Sequence, residues 1–259
     1  MRLTGKIALI TGGTAGIGKG IARAFLDEGA SVVINGRNVE AGEKALAELE
    51  AGERGLFCAA DVKKREDVER LIATTVEHFG RIDILVNNAG GATGLGSPIW
   101  EMSDEVWDDT INWNLNSTFW ATRSALQRMV PQKSGRIINI SSVEGKHGKA
   151  ILAPYVAAKH AINGFTKSVA KEVGTMGITV NSICPGLVIT DVITREGPKT
   201  AEGMGLTLDG LIELFASESA IKRANTVEEV AAVAVLFASD VAAGTTGAIY
   251  SVDGGTAQY

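Results

Sequence analysis

The stretch IALITGGTAGIGKGIARAFLDE, residues 7–28, decides the fold, because strand, glycine turn and helix follow one another without interruption. Ile7–Thr11 is apolar at nearly every position, as expected of a strand buried on both faces. A turn with several glycines follows, and Ile17–Glu28 then carries apolar residues at helical spacing. This succession predicts the first strand–helix unit of a parallel sheet.

The same alternation of apolar runs and helical patterns continues along the chain. Further strands are predicted at Ser31–Asn35, Leu56–Ala60, Ile82–Val86, Arg136–Ser141, Ile178–Cys184 and Ala248–Val252. Further helices are predicted at Glu40–Glu50, Arg65–Phe79, Ala153–Val173 and Thr226–Ala238. The pattern predicts an α/β fold, a parallel sheet with helices on both faces. No linker or repeat divides the chain, so residues 1–259 are interpreted as one domain.

Composition excludes several classes of protein. The 259 residues are 45% hydrophobic with a formal net charge of −5, which is typical of a globular domain and argues against a nucleic-acid binder. Cys58 and Cys184 lie in apolar segments, which indicates buried thiols in a reducing compartment. No cysteine–histidine cluster has zinc spacing, and no apolar run is long enough for a membrane span. With no signal peptide apparent, we expect a cytoplasmic protein without a metal.

Residues 191–222 interrupt the alternation. Leu208, Leu211, Ile212 and Phe215 follow the spacing of one short amphipathic helix, and glycine-rich sequence flanks it. This arrangement, after the sixth strand, favours a movable substrate lid. The alternative is a surface excursion packed on the core.

The glycine turn has the features of a phosphate-binding loop. Gly12, Gly16 and Gly18 let the backbone approach a pyrophosphate, and the helix N-terminus supplies N–H groups. A glycine turn alone is weak evidence, but here it lies between a predicted strand and a predicted helix. The Gly-Lys-Ser/Thr of an ATPase loop is absent. We therefore predict a dinucleotide site.

The end of the second strand bears on the choice of nucleotide. An NAD site carries an acidic residue there, about 20 residues beyond the loop, but this chain has Gly36 followed by Arg37. A guanidinium can pair with a 2′-phosphate, so the sequence favours NADP(H), with NAD(H) as the alternative. Ala15 supplies no second basic residue. Replacing Gly36 with Asp and Arg37 with a neutral residue is expected to reverse the preference.

The third predicted strand ends in Asp61-Val62. Asp61 is a candidate to meet the adenine amino group of the nucleotide. The alternative is that this aspartate caps the helix that follows.

Polar residues follow the later strands and lie on the helices between them. Tyr155 and Lys159 are four residues apart, on one face of a predicted helix, and Ser142 lies thirteen positions before Tyr155. Other candidates are Asn87-Asn88-Ala89-Gly90, Asn114 and Pro185-Gly186. Ligands of open parallel sheets bind at the carboxyl ends of the strands, where most of these residues are predicted to lie.

These motifs together resemble the classical short-chain dehydrogenase/reductases over the full chain. They are T-G-x-x-x-G-I-G at 11–18, N-N-A-G at 87–90, Asn114, Ser142, Y-x-x-x-K at 155–159 and P-G at 185–186. The resemblance implies a doubly wound, Rossmann-like sheet, a nicotinamide cofactor and the catalytic tetrad Asn114, Ser142, Tyr155 and Lys159.

The resemblance also implies a role for each member of the tetrad. Tyr155 donates the proton in carbonyl reduction, and the Lys159 ammonium lowers the tyrosine pKa and holds the nicotinamide ribose. Ser142 hydrogen-bonds the substrate oxygen. Asn114 kinks its helix and positions a water linked to Lys159.

Cofactor-binding residues are implied in the same way. Besides Tyr155, Lys159, Arg37, Asp61 and Val62, they are Gly12, Thr14, Gly16, Ile17, Gly18, Asn88, Ala89, Gly90, Pro185, Gly186, Val188 and Thr190. The paired asparagines could instead lock the central sheet. Glu144 and His147, just after Ser142, are candidates for substrate contacts or ordinary loop residues.

Three functional hypotheses stand. The first is an NADP(H)-dependent reductase of a ketone or 3-oxoacyl group, and the second is an NAD-dependent alcohol or 3-hydroxy-acid dehydrogenase. The third, a catalytically silent nucleotide-binding protein, would need neither Tyr155 nor Lys159. The resemblance also implies a homotetramer built through helices near 104–131 and 154–174, acting on a small-molecule carbonyl or alcohol without nucleic acid or membrane.

Overall fold

A computed structural model describes residues 1–91, 97–203 and 205–257. Its centre is a parallel sheet in the order β3-β2-β1-β4-β5-β6-β7. The strands are β1 Ile7–Ile10, β2 Ser31–Gly36, β3 Gly55–Ala59, β4 Ile84–Asn87, β5 Gly135–Ile140, β6 Ile178–Pro185 and β7 Ile249–Val252. The predicted parallel α/β sheet is confirmed, and each predicted strand lies within two residues of the observed one. The strand order reverses between β1 and β4, so the sheet is doubly wound and offers a ligand crevice there.

Nine helices are seen in the described part of the chain. They are α1 Gly16–Asp27, α2 Val39–Glu48, α3 Arg65–Phe79, α4 Asp104–Ile111, α5 Ser117–Gln132, α6 Ala153–Val173, α7 Asp191–Gly203, α8 Leu208–Ser217 and α9 Val227–Ala238. The predicted helices at Arg65–Phe79 and Ala153–Val173 have the observed bounds. None of the described helices is both long and apolar enough to cross a membrane.

Alternate residues of β1 show how the sheet is covered. Ala8 and Ile10 belong to a buried cluster with α1 and α9, whereas Leu9 belongs to a second cluster with α3, α5 and α6. Successive side chains of a strand point to opposite faces, so a strand buried on both faces is apolar throughout. The same burial encloses Cys58 and Cys184, which are both free thiols.

The segment after β6 differs from its prediction. Two helices, α7 and α8, replace the single amphipathic helix that the sequence predicts. Gly197 and Pro198 are poor helix formers, which is why the pattern missed α7. A Cβ on Gly197 would lie only 2.6 Å from Leu208 Cδ1, so the two helices pack closely at this glycine. Tertiary packing here overrides local propensity.

Candidate active site

A cleft of about 560 Å³ opens at the carboxyl ends of the strands. It brings together most of the site residues predicted from the sequence. Those that line it are Gly12, Thr14, Gly16, Ile17, Arg37, Asp61, Val62, Asn88, Ala89, Gly90, Ser142, Tyr155, Lys159, Pro185, Gly186 and Thr190. Three predicted residues, Gly18, Asn114 and Val188, are not among the lining residues and support the cleft from behind.

The glycine loop is shaped for a close approach of backbone to ligand. Gly16 has a φ of +53°, in the left-handed region that side chains disfavour, and it opens α1. A Cβ on Gly18 would lie 2.4 Å from the Gly12 carbonyl oxygen, so only glycine fits beneath the loop. No acidic residue occupies the first turn of α1, which leaves its positive end available to a phosphate. The loop therefore fits a dinucleotide pyrophosphate.

Asn87 and Asn88 have different functions. The Asn87 amide donates hydrogen bonds to Asn139 Oδ1 at 2.8 Å and to Thr122 Oγ1 at 3.0 Å, which locks the central sheet to α5. The Asn88 amide instead donates to the carbonyl oxygens of Thr11 and Gly12, at 3.0 and 3.1 Å. Asn88 thus holds the glycine loop from the side of β4.

Gly36 and Arg37 lie where the second strand meets the cleft. Arg37 is exposed and lines the cleft, a position from which a guanidinium can reach a ribose phosphate. A Cβ on Gly36 would lie 2.7 Å from Thr14 Cγ2 and 3.0 Å from Thr14 Oγ1. Glycine at position 36 therefore leaves room for the Thr14 side chain of the glycine loop. The sequence alone does not show this steric requirement.

Asp61 lies in the cleft and does not cap the next helix. Its Oδ1 accepts a hydrogen bond from the Lys63 backbone N–H at 3.1 Å, whereas the residue before α3 is Lys64. The alternative interpretation of Asp61 as a helix cap is wrong. Its carboxylate shapes the turn that forms the wall of the cleft.

Asn114 lies at a break in its helix. Residues Asn112–Asn116 form a π-helical turn between α4 and α5, as the predicted kink requires. The Asn114 side chain is fully buried and clamps Gly91, donating to its carbonyl at 2.6 Å and accepting from its N–H at 3.1 Å. A Cβ on Gly90 would lie 2.5 Å from Asn114 Oδ1 and 3.6 Å from Lys159 Nζ, so both polar groups approach one glycine.

The end of the cleft opposite Arg37 is lined by Tyr155, Lys159 and Ser142. Lys159 Nζ lies 5.4 Å from the centre of the Tyr155 ring and donates to the Ile140 carbonyl oxygen at 2.9 Å. The Ser141 hydroxyl donates to the Lys159 carbonyl at 3.1 Å, which fixes α6 to the end of β5. Ser142 lies beside the Tyr155 hydroxyl, where it favours the phenolate and so lowers the pKa of Tyr155.

Burial controls the protonation of this group. It raises the pKa of Tyr155 to about 12, with the Glu144 carboxylate acting in the same direction and Ser142 opposing it. Burial lowers the pKa of Lys159 to about 8. The raised tyrosine pKa is opposite to the shift expected from a neighbouring ammonium alone. Desolvation of the phenolate is the largest cause of the shift, and the lysine ammonium is itself destabilised by burial.

Glu144 contacts the site more directly than its position in a loop suggests. The Ser142 hydroxyl donates a hydrogen bond to Glu144 Oε2, and the Glu144 backbone N–H donates to Ser142 Oγ at 3.2 Å. The carboxylate is half-buried. Glu144 and His147 are the two candidate substrate contacts predicted from the sequence. The structure places Glu144 in hydrogen-bond contact with Ser142, a predicted catalytic residue.

The segment after β6 forms the far wall. The Gly186 N–H donates to the Val252 carbonyl oxygen at 3.0 Å, which joins this wall to β7. Val188 is buried among core residues and pairs with Asn225, so its side chain supports the wall. Thr190 faces the glycine loop, since a Cβ on Gly16 would lie 3.4 Å from its side chain.

Several lining residues were missed by sequence reasoning. They include Lys63 and Arg195. Arg195 belongs to α7, and no local pattern shows that this helix reaches the nucleotide cleft. In the described residues no group of three His, Cys, Asp or Glu side chains is arranged to hold a metal ion.

Comparisons with known proteins agree with this arrangement. A family model described as short chain dehydrogenase matches residues 6–201. The chain is 41% identical to D-beta-hydroxybutyrate dehydrogenase of Rhizobium meliloti, covering 98% of this chain and 99% of that one. It is 40% identical to 3beta-hydroxysteroid dehydrogenase of Mediterraneibacter gnavus, covering 100% and 97%. Among solved structures, a single-residue variant of actinorhodin polyketide ketoreductase with NADPH matches with a TM-score of 0.93 and 35% identity, covering 100% and 99%.

Proposed function

The chain belongs to the short-chain dehydrogenase family, and from that premise we propose that it is an NADP(H)-dependent oxidoreductase that reduces a ketone or 3-oxoacyl group to a secondary alcohol. The observation that carries the proposal is one continuous cleft, with the glycine loop and Arg37 at one end and Tyr155, Ser142 and Lys159 at the other. The similarity to a ketoreductase with NADPH supports it.

The cleft residues fit a nicotinamide dinucleotide. The glycine loop would hold the pyrophosphate, Arg37 the 2′-phosphate, and Asp61 the adenine. Lys159 would hold the nicotinamide ribose, with Thr190 and the Pro185-Gly186 wall near the ring. When bound, the nucleotide supplies the hydride.

Proton delivery falls to the residues of the chain itself. A tyrosine whose pKa is raised to about 12 stays protonated at neutral pH, so the Tyr155 hydroxyl is available as a donor to the substrate oxygen. The Ser142 hydroxyl, which donates to Glu144 in the free protein, would turn its proton to the same oxygen and stabilise the charge that develops on it. Lys159, whose pKa is lowered to about 8, is mostly protonated at neutral pH and can still exchange its proton. Asn114 holds the adjoining loop in place.

The same tetrad would serve the runner-up function. An NAD-dependent alcohol or 3-hydroxy-acid dehydrogenase needs Tyr155 as a base, and a pKa raised to about 12 disfavours that direction at neutral pH. The observation in its favour is the similarity to a D-beta-hydroxybutyrate dehydrogenase.

The decisive assay offers a panel of ketones and alcohols with both nucleotides between pH 6 and 10. We expect reduction with NADPH to vary little below pH 8, because Tyr155 remains protonated, and to fall above pH 8, because Lys159, whose pKa is lowered to about 8, loses its charge. Alcohol oxidation is expected to rise with pH, because the phenolate that it requires becomes more populated. Alcohol oxidation that exceeds ketone reduction in kcat/KM at pH 7, or a clear preference for NADH, would favour the alternative.

Assembly into a homotetramer is a further part of the proposal. The helices α5 and α6 present an open groove that includes Phe119, which is 41% exposed, together with Leu126, Val130 and Phe165. Apolar surface of this kind on two adjacent helices suits a two-fold contact with a second copy.

A charged residue in this groove is expected to weaken the assembly. Phe119→Glu should lower the mass measured by light scattering at micromolar concentration from that of a tetramer to that of a smaller species. Val39→Glu places the same charge at an exposed apolar position on α2 and should leave the mass unchanged. A monomeric parent protein would contradict the proposal.

A further inference from the structure

We propose that Glu144 determines substrate specificity: its carboxylate selects ketones without a negative charge beside the reacting carbon and disfavours free oxo-acids. This inference rests on the proposed function and narrows it to a substrate class. It also separates the two leading hypotheses, because a free 3-hydroxy acid carries the charge that Glu144 would repel.

The geometry places a negative charge next to the reacting atoms. Ser142 is buried and Glu144 is half-buried, and the Ser142 hydroxyl donates to Glu144 Oε2. Ser142 lies beside Tyr155, so a substrate oxygen that accepts the Ser142 proton in place of Glu144 lies one residue away from the carboxylate. At such a distance in a partly desolvated cleft, repulsion between two carboxylates is only weakly screened.

The loop that carries Glu144 is held rigidly. The Asn163 amide donates to the Gly145 carbonyl oxygen at 2.9 Å, and a Cβ on Gly145 would lie 2.7 Å from Ser141 Oγ. The loop is thus pinned between α6 and the end of β5. Glu144 has little freedom of backbone movement to withdraw its charge from the site.

The lysines that follow Glu144 along the loop do not form an ion pair with it. Lys146, on the same loop, donates to Ser251 Oγ at 2.8 Å, and Lys149 pairs with Glu218 at 3.2 Å. Among the lysine, arginine and histidine side chains that the structure describes, no nitrogen lies within 4.0 Å of a Glu144 carboxylate oxygen. The other ionisable groups around the site are Tyr155 and Lys159 on α6, Cys184 on β6 and Arg195 on α7, and His147 follows Glu144 along the same loop.

The protonation of the site supports the same conclusion. Burial is the main cause of the raised Tyr155 pKa, and the Glu144 carboxylate adds to it, which places its field at the tyrosine hydroxyl. The carboxylate also opposes the lowering of the Lys159 pKa by burial. A charge that acts on both groups acts on a substrate held between them.

The test compares acetoacetate with methyl acetoacetate, which differ in the charge beside the same ketone. The parent protein should prefer the neutral ester in kcat/KM. Glu144→Gln should shrink that preference by about fivefold or more, because it removes the charge and keeps the shape. Glu144→Asp, which retains the charge, should keep the preference. Where the pair is not turned over, their inhibition constants against a ketone that is reduced give the same ratio.

Two further measurements make the result specific. Glu213→Gln removes a carboxylate from the exposed face of α8 and should leave the ester preference unchanged. Glu144→Gln should also shift the rise of alcohol oxidation to lower pH, because the phenolate of Tyr155 loses a neighbouring negative charge. Thermal unfolding of each variant establishes that it is folded.

The outcomes separate this inference from the proposed function. Reduction of no ketone with either nucleotide would overturn the proposed function. Reduction of ketones, with acetoacetate used as well as its ester or with an ester preference unchanged in Glu144→Gln, would overturn the role of Glu144 alone.

Discussion

Tyr155→Phe is expected to lower kcat for ketone reduction by about two to four orders of magnitude, the usual contribution of a positioned proton donor. The substitution removes the hydroxyl that lies beside Ser142 and retains the ring that packs beside Lys159 Nζ. Binding of the nucleotide, measured by fluorescence titration, should change little, because the glycine loop and Arg37 lie at the other end of the cleft.

A matched control exists on the last strand. Tyr250 is 50% exposed and packs edge-on against Phe237, outside the cleft. Tyr250→Phe should therefore retain full turnover. Near-normal turnover in Tyr155→Phe would remove this tyrosine from the mechanism, whereas loss of nucleotide binding in that variant would assign it to positioning of the cofactor.

Arg37→Leu is expected to lower kcat/KM for NADPH by about tenfold or more while changing the value for NADH little. A guanidinium forms paired, charge-assisted hydrogen bonds with a phosphate, and NADH lacks the phosphate that would use them. The measurement is kcat/KM with each nucleotide at one fixed ketone concentration. Added salt should reduce the effect of Arg37→Leu on kcat/KM for NADPH, because Arg37 is exposed and its charge is screened.

The control for this variant is Arg65→Leu. Arg65 is an exposed arginine at the start of α3 that pairs with Glu69, away from the residues that line the cleft. It removes the same charge and should leave both values unchanged. If the parent protein already favours NADH, Arg37 does not bind a 2′-phosphate and is only a solvated or stacking residue.

A full reversal of the nucleotide preference toward NAD(H) needs a third substitution besides those at positions 36 and 37. An aspartate at position 36 would supply the carboxylate for a 2′-hydroxyl, but its Cβ would lie 2.7 Å from Thr14 Cγ2. The exchange of Gly36 with Asp and Arg37 with a neutral residue therefore pushes a side chain into the phosphate loop. Adding Thr14→Ala removes the atoms that collide.

The sequence by itself determined the architecture and most of the residues that line the cleft. Strands buried on both faces must be apolar throughout, and helices beside them must repeat every 3.6 residues, so both can be recognised locally. The parallel strands then bring their carboxyl ends to one edge, and motifs that follow those ends meet there. This is why the sequence alone predicts that residues as distant as Gly12 and Tyr155 line one cleft.

Only the tertiary structure decided the contacts that control the chemistry. The close approach of Gly36 to Thr14 and the arrival of Arg195 at the nucleotide cleft each join segments whose approach no local pattern encodes. The raised pKa of Tyr155 depends on how much solvent the whole fold excludes, and burial outweighs its neighbouring charges. Periodicity reports which face of an element is buried, whereas electrostatics and close packing depend on distances of a few ångströms that arise when the elements assemble.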